Sequence, residues 1–126
     1  MSPRLALSIG AVVALLTGIP FVLAPAQALE LAGIATPPDF ALVPARDTGT
    51  VLIGVGIIDW LARDAVGAPL RGLLWGNIFI RVGAVAVNGW EFATGQLPGV
   101  STTTVAVLAA FSVALIVMFA LALRRA

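Results

Sequence analysis

Apolar positions in this chain run on for lengths that match a bilayer, and the charged residues gather between the runs. Leu5 to Leu23 is the first such stretch and carries no charge. At 1.5 Å rise per residue its roughly 19 positions approach the ~30 Å hydrocarbon thickness of a membrane. A second run extends from about Asp47 to Ala62 and has Asp59 inside it. The third, about Leu70 to Phe92, is long enough to span although Arg81 lies near its middle. The fourth, Thr103 to Leu123, is uncharged and is preceded by Ser101 and Thr102, side chains suited to capping a helix start. The pattern predicts an all-α membrane protein, a four-transmembrane-helix bundle with spans over about 5–23, 47–62, 70–92 and 103–123.

Between the first two runs, residues 24–46 carry Pro25, Pro37, Pro38 and Pro44 with Glu30 and Asp39. Prolines of that density predict a loop instead of a spanning helix. Leu29, Leu31, Ile34, Phe40 and Leu42 make it too apolar for a solvated linker, so part of it is expected to lie in the headgroup region as a short helix. Two alternatives stand beside this reading. Arg4 and the Ala26-Gln27-Ala28 triplet fit a cleavable signal peptide, but 5–23 exceeds the usual apolar core of one, and retention is the expectation. The short second run could be re-entrant, but Arg63, Asp64, Gly67 and Pro69 mark an ordinary polar turn after it, which favours a full crossing.

Composition agrees with a membrane solvent: 60% of the 126 residues are hydrophobic and 10% charged, far from the balance of a soluble globular domain. The seven basic residues are all Arg and are scattered, which argues against nucleic acid as a partner. Their distribution sets an expected orientation. Arg4, Arg63, Arg71, Arg124 and Arg125 flank the spans on one side and only Arg46 on the other, so both termini and the turn near residue 65 are predicted to face the cytoplasm. Trp60 and Trp75 then sit near that interface and Trp90 near the opposite one. The Arg-only, Ala/Val/Leu/Gly-rich usage is a bias associated with GC-rich bacterial genomes, which points to a bacterial inner (plasma) membrane. With no Cys, His or Lys, thiol redox chemistry, thiolate or imidazole metal ligation, a histidine base and a Schiff base are all removed. No cofactor and no metal is expected.

Small residues recur at helical spacing. Ala6, Gly10, Ala14 and Gly18 repeat every four residues in the first run, and Gly72 and Gly76 open the third. Such faces let backbones approach closely where lipid leaves little hydrophobic drive for association. They are read as contacts within the bundle, with a homodimer face as the alternative. Gly49 and Gly56 offer the same on the second helix.

At 100° per residue, Asn77, Arg81 and Asn88 fall within about 40° of one another, with Glu91 further round. A charge at mid-bilayer costs about 2.5–3.5 kcal/mol on the insertion scale, so this polar face should turn inward and Arg81 needs a partner. Asp59 is the leading candidate. In the alternative, Asp59 pairs with Arg63 at i, i+4 on its own helix and Arg81 snorkels or bonds to Asn77 and main-chain carbonyls. Asp59, Asn77, Arg81 and Asn88 are therefore the candidate intramembrane polar site, and no catalytic residue is identified.

Several short stretches resemble the small four-helix membrane proteins of the DoxX-like group. They are Pro25 through Gly33, Ala45-Arg46-Asp47-Thr48-Gly49, Trp60-Leu61-Ala62-Arg63 and Gly76-Asn77. The resemblance implies a four-helix bundle and, for the better-known relatives, a role in membrane complexes tied to redox or stress; it transfers no active site. The favoured function is a non-enzymatic accessory or structural component of a larger membrane complex or homo-oligomer. A small oligomeric transporter or channel lined by Asp59 and Arg81 is the first alternative. A membrane enzyme acting on a lipid-like substrate, with Asp59 or Glu91 as acid or base, is the second.

Overall fold

Several of the helix boundaries have a local chemical cause. In the computed structural model, which describes residues 1–126, helix α1 spans Pro3–Leu23. Ser2 caps it, its hydroxyl accepting from the Leu5 N–H at 3.3 Å. Pro25 ends it: proline has no N–H to continue the ladder and drives Ala24 out of the helical region, to φ −142° and ψ 63°. The same proline, pre-set for a first helical position, starts the short helix α2, Pro25–Leu31. Gly33 then closes α2 at φ +98°, with its own N–H on the Glu30 carbonyl and the Ile34 N–H on that of Leu29, the paired bonds of a Schellman cap.

Helix α3 covers Asp39–Leu61, α4 Gly67–Ala93 and α5 Thr102–Leu123. Gly95 ends α4 as Gly33 ends α2, at φ +73° with the Gln96 N–H returning to the Glu91 carbonyl. Ser101 caps α5 by accepting from the Thr104 N–H at 3.1 Å. Replacing Ser101 with Ala is expected to cost about 1 kcal/mol of stability, read as a shift in thermal unfolding of the purified protein.

Helices α1, α3, α4 and α5 are each long and apolar enough to cross a membrane. Their 21, 23, 27 and 22 residues extend for about 32 to 40 Å. The chain is thus an all-helical, multi-pass membrane protein of five helices, four of which are candidate spans. The expected loop over 24–46 contains a short helix, α2, as anticipated, and is corrected at its far end: its last part belongs to α3, which begins at Asp39 and carries Pro44 inside it. Pro44 is tolerated because the carbonyl it leaves without an N–H donor belongs to the exposed Phe40, in the first turn. Similarly, Gly67 and Pro69, read as turn residues, lie in the first turn of α4, where a missing N–H costs little.

The two termini and the α3–α4 turn share one end of the bundle. Arg4 Nε meets Asp64 Oδ1 at 3.2 Å, and Arg71 Nη1 donates to the Ala126 carbonyl at 3.5 Å. Helix α1 is central, with α3 along one side and the α4–α5 hairpin on the other. Two different kinds of packing hold these sides. Against α3, α1 presents Gly18 and Ala11 to Gly49 and Gly56, and main chain approaches main chain: a Cβ added at Gly18 would lie 2.8 Å from the Gly49 carbonyl oxygen. Against α4 and α5, larger side chains interdigitate. Leu7, Leu70, Leu74, Leu115, Met118 and Phe119 form one buried cluster with Ala6 and Ala122.

That cluster lies wholly in the half of the bundle nearest the termini. Beyond Asn77 on α4, and before Leu115 on α5, neither helix has a buried residue. The α1–α3 pair, by contrast, is buried along most of its length, from Ala6 to Gly18 on one helix and from Ala45 to Asp59 on the other.

Candidate functional site

Asp59 sits two residues before the end of α3, and its side chain leans back into the bundle, as helical side chains do. It is only 1% exposed. The neighbour that permits this is Gly10 of α1: a Cβ there would lie 3.4 Å from Asp59 Oδ2 and 2.6 Å from the ring edge of Phe119. The small-residue face of α1 therefore admits a carboxylate and an aromatic ring to the same spot. Ala6, Gly10, Ala14 and Gly18 are all buried inside the chain's own fold.

The partner of Asp59 is Asn77 of α4. Asn77 Nδ2 donates to Asp59 Oδ1 at 2.9 Å and to the Leu73 carbonyl at 3.1 Å, so both amide hydrogens are engaged. Asp59 Oδ2 is buried and accepts no hydrogen bond. The expected Asp59–Arg81 ion pair is not formed, since Arg4–Asp64 is the only ion pair in the molecule. The i, i+4 alternative is not formed either. Arg63 instead donates to the Trp60 carbonyl and stacks over the Trp60 ring at 4.3 Å. One turn beyond Asn77, Arg81 is half-buried, and its Nε is buried without a hydrogen-bond partner.

The shared polar face of α4 is thus divided by the packing beneath it. Asn77 is in the packed half and bonds across to α3; Arg81 is at the edge of that half; Asn88 is fully in the open half and exposed. Asn88 is not brought to the site. Gly72 and Gly76 correct the expectation of close helix packing at those positions: both are exposed, and a Cβ at either would meet nothing within 4 Å. They point along α4 toward a gap, because α3 and α4 approach each other near Asp59 and Asn77 without packing along their length.

This gap is a cleft of about 540 Å³. Asp59 and Asn77 are its polar lining, Val55, Ile58, Leu73 and Ile80 its apolar walls, and Gly72 and Gly76 lie along it. Nothing in the sequence pattern alone had pointed to Val55, Ile58 or Ile80, since an apolar residue on a spanning helix carries no mark of which face it serves. Asp and Glu side chains nowhere gather in threes that could hold a metal ion. No protein-family model, curated protein or solved structure matches the chain.

Proposed function

We propose that this protein is a non-enzymatic accessory component of a larger membrane complex, held to its partner through the open half of the α4–α5 hairpin. The observation that supports this most directly is Arg81. A guanidinium on the middle of a spanning helix costs several kcal/mol unless it is paired, and Arg81 Nε is buried without an acceptor in the chain itself. Around it the surface has features of helix contact. Asn88, two turns further along the same face, is exposed and offers a partner helix a hydrogen-bonding amide. The occupant that fits is a transmembrane helix presenting a carboxylate or carbonyl acceptor at mid-bilayer to Arg81.

In this reading the protein resides in a bacterial inner membrane with its termini and the α3–α4 turn in the cytoplasm, on the side where Arg4, Arg63, Arg71, Arg124 and Arg125 collect. Helix α2 lies at the opposite headgroup region, its exposed Leu31 reaching into lipid. The likeness to the DoxX-like group rests on the short stretches quoted above, and a place in a membrane complex is consistent with it.

The test is Arg81→Leu. Removing an unpaired cation is expected to leave the isolated chain folded, and more stable by about 1–3 kcal/mol. The same change is expected to strip the partner from the protein when both are extracted in mild detergent and weighed by native mass spectrometry. A chain that carries no partner in the wild type, or that keeps it at unchanged stoichiometry in the variant, ends this proposal. Proton-coupled flux in liposomes, abolished by Asp59→Asn, would put a transporter in its place.

A further inference from the structure

The cleft between α3 and α4 borders the face that carries Arg81, which forms no ion pair with Asp59 and is not part of the cleft lining, and the chemistry of that lining is one-sided. Each of its polar groups has a fixed role. Asn77 has spent both amide hydrogens, on Asp59 and on the Leu73 carbonyl, so what remains of it is an acceptor oxygen. Asp59 is a carboxylate with about four acceptor positions, of which one is taken by Asn77 and none by an arginine. With Asp59 ionised, the polar side-chain atoms of the cleft accept and do not donate, and the carboxylate adds a negative charge.

The remaining surface is hydrocarbon. Val55 and Ile58 from α3 face Leu73 and Ile80 from α4 across a volume of about 540 Å³, within the ~300–1,000 Å³ range of small-molecule sites. Gly72 and Gly76 leave this side of α4 without side chains, so the cleft can be approached from between the two helices. A molecule that satisfies such a site has a cationic hydrogen-bond donor at one end and an apolar tail.

We propose that the α3–α4 cleft binds a membrane-partitioned primary ammonium amphiphile, its N–H groups on the carboxylate of Asp59 and its chain against Val55, Ile58 and Ile80. Asp59 lies two residues from the end of α3, so the ammonium sits just inside the interface from which amphiphiles insert. Two sources share this chemistry: a free long-chain amine, and the headgroup of an ethanolamine phospholipid.

Decylamine is the probe, titrated against the purified chain in phosphatidylcholine nanodiscs, with native mass spectrometry counting the amines retained per chain. One saturable site is expected. Asp59→Asn is expected to weaken it at least tenfold, and decanol, with the same tail and no charge, to bind no better to the wild type than to this variant. Gly76→Leu is expected to weaken decylamine by a similar factor, because it fills the cleft from α4 while leaving the Asp59–Asn77 bond in place. It also keeps the test decisive should Asp59→Asn fail to fold. Adding ethanolamine phospholipid to the nanodiscs separates the sources: displacement of decylamine assigns the site to the headgroup, and undiminished binding assigns it to the free amine. Equal decylamine retention by the wild type, Asp59→Asn and Gly76→Leu would reduce the effect to partitioning and overturn the proposal. So would decanol binding as tightly as decylamine. The isolated chain suffices for every arm, so no outcome requires that Arg81 hold a partner.

Discussion

Gly49→Leu is expected to unfold the bundle under conditions in which the wild type is stable, with a loss of more than about 3 kcal/mol. A Cβ at Gly49 would lie 2.7 Å from the Gly18 carbonyl oxygen, 2.8 Å from Phe21 Cβ and 2.9 Å from Val22 Cγ2. The first two cannot yield by a rotamer change, since one is main chain and the other is fixed to it. Relief requires α1 and α3 to separate, and this contact is what holds α3 to the bundle away from Asp59. Gly54, on the same helix, is the control. Nothing lies within 4 Å of a Cβ there, so Gly54→Leu is expected to change stability by less than about 0.5 kcal/mol. Unfolding of both variants by sodium dodecyl sulfate, followed by helicity, measures the difference. If the face containing Gly18 served a homodimer instead of the α1–α3 crossing, Gly49→Leu would dissociate the oligomer and leave the monomer's helicity and midpoint intact.

The contrast between Gly49 and Gly54 also shows what the sequence could and could not disclose. Both are glycines within one apolar helix, and they differ only in which way they face. The existence of spanning helices was legible because a bilayer demands a long apolar run and an internally bonded backbone, and both demands are written locally. Helix α1 and helix α5 coincide with the chain's two uncharged runs. The start of α3 was not legible. Pro44, Arg46 and Asp47 read as a boundary, yet the helix continues through them to Asp39, because a proline early in a helix removes a bond that only an exposed carbonyl needed.

Within the site, legibility followed the same division. Asp59 and Asn77 stood out as polar groups on apolar helices, since the membrane makes such groups costly wherever they point. Their pairing was hidden, because Coulomb reasoning favours an arginine over an amide and says nothing of reach. What decides it is Gly10, which lets Asp59 sink against α1, where Asn77 is within hydrogen-bond distance and Arg81 forms no ion pair. The periodicity of α4 placed Asn88 with Asn77, but periodicity describes one helix and burial depends on its neighbours. Those neighbours part beyond Asn77, leaving Asn88 exposed. Gly72 and Gly76 were misread for the same reason.

The second large effect is expected at Asn77. Asn77→Leu removes the only hydrogen-bond donor to Asp59 and leaves a buried carboxylate with none. A hydrogen bond to a charged group is worth about 1.5–3 kcal/mol, and the lone carboxylate adds its own desolvation cost, so a loss of about 2–4 kcal/mol is expected. Asp59→Leu in the same chain should recover most of that loss, because two apolar side chains replace a polar pair in a largely apolar setting. The exchange Asp59→Asn with Asn77→Asp should not recover it, although it keeps one acid and one amide. Asn77 Nδ2 also donates to the Leu73 carbonyl at 3.1 Å, and a carboxylate at position 77 would set acceptor against acceptor. A double-mutant cycle on detergent-solubilised protein separates the two outcomes. Equal stability of the exchanged and native pairs would show that the amide's direction is immaterial, and the acceptor-only character assigned to the cleft would fall with it.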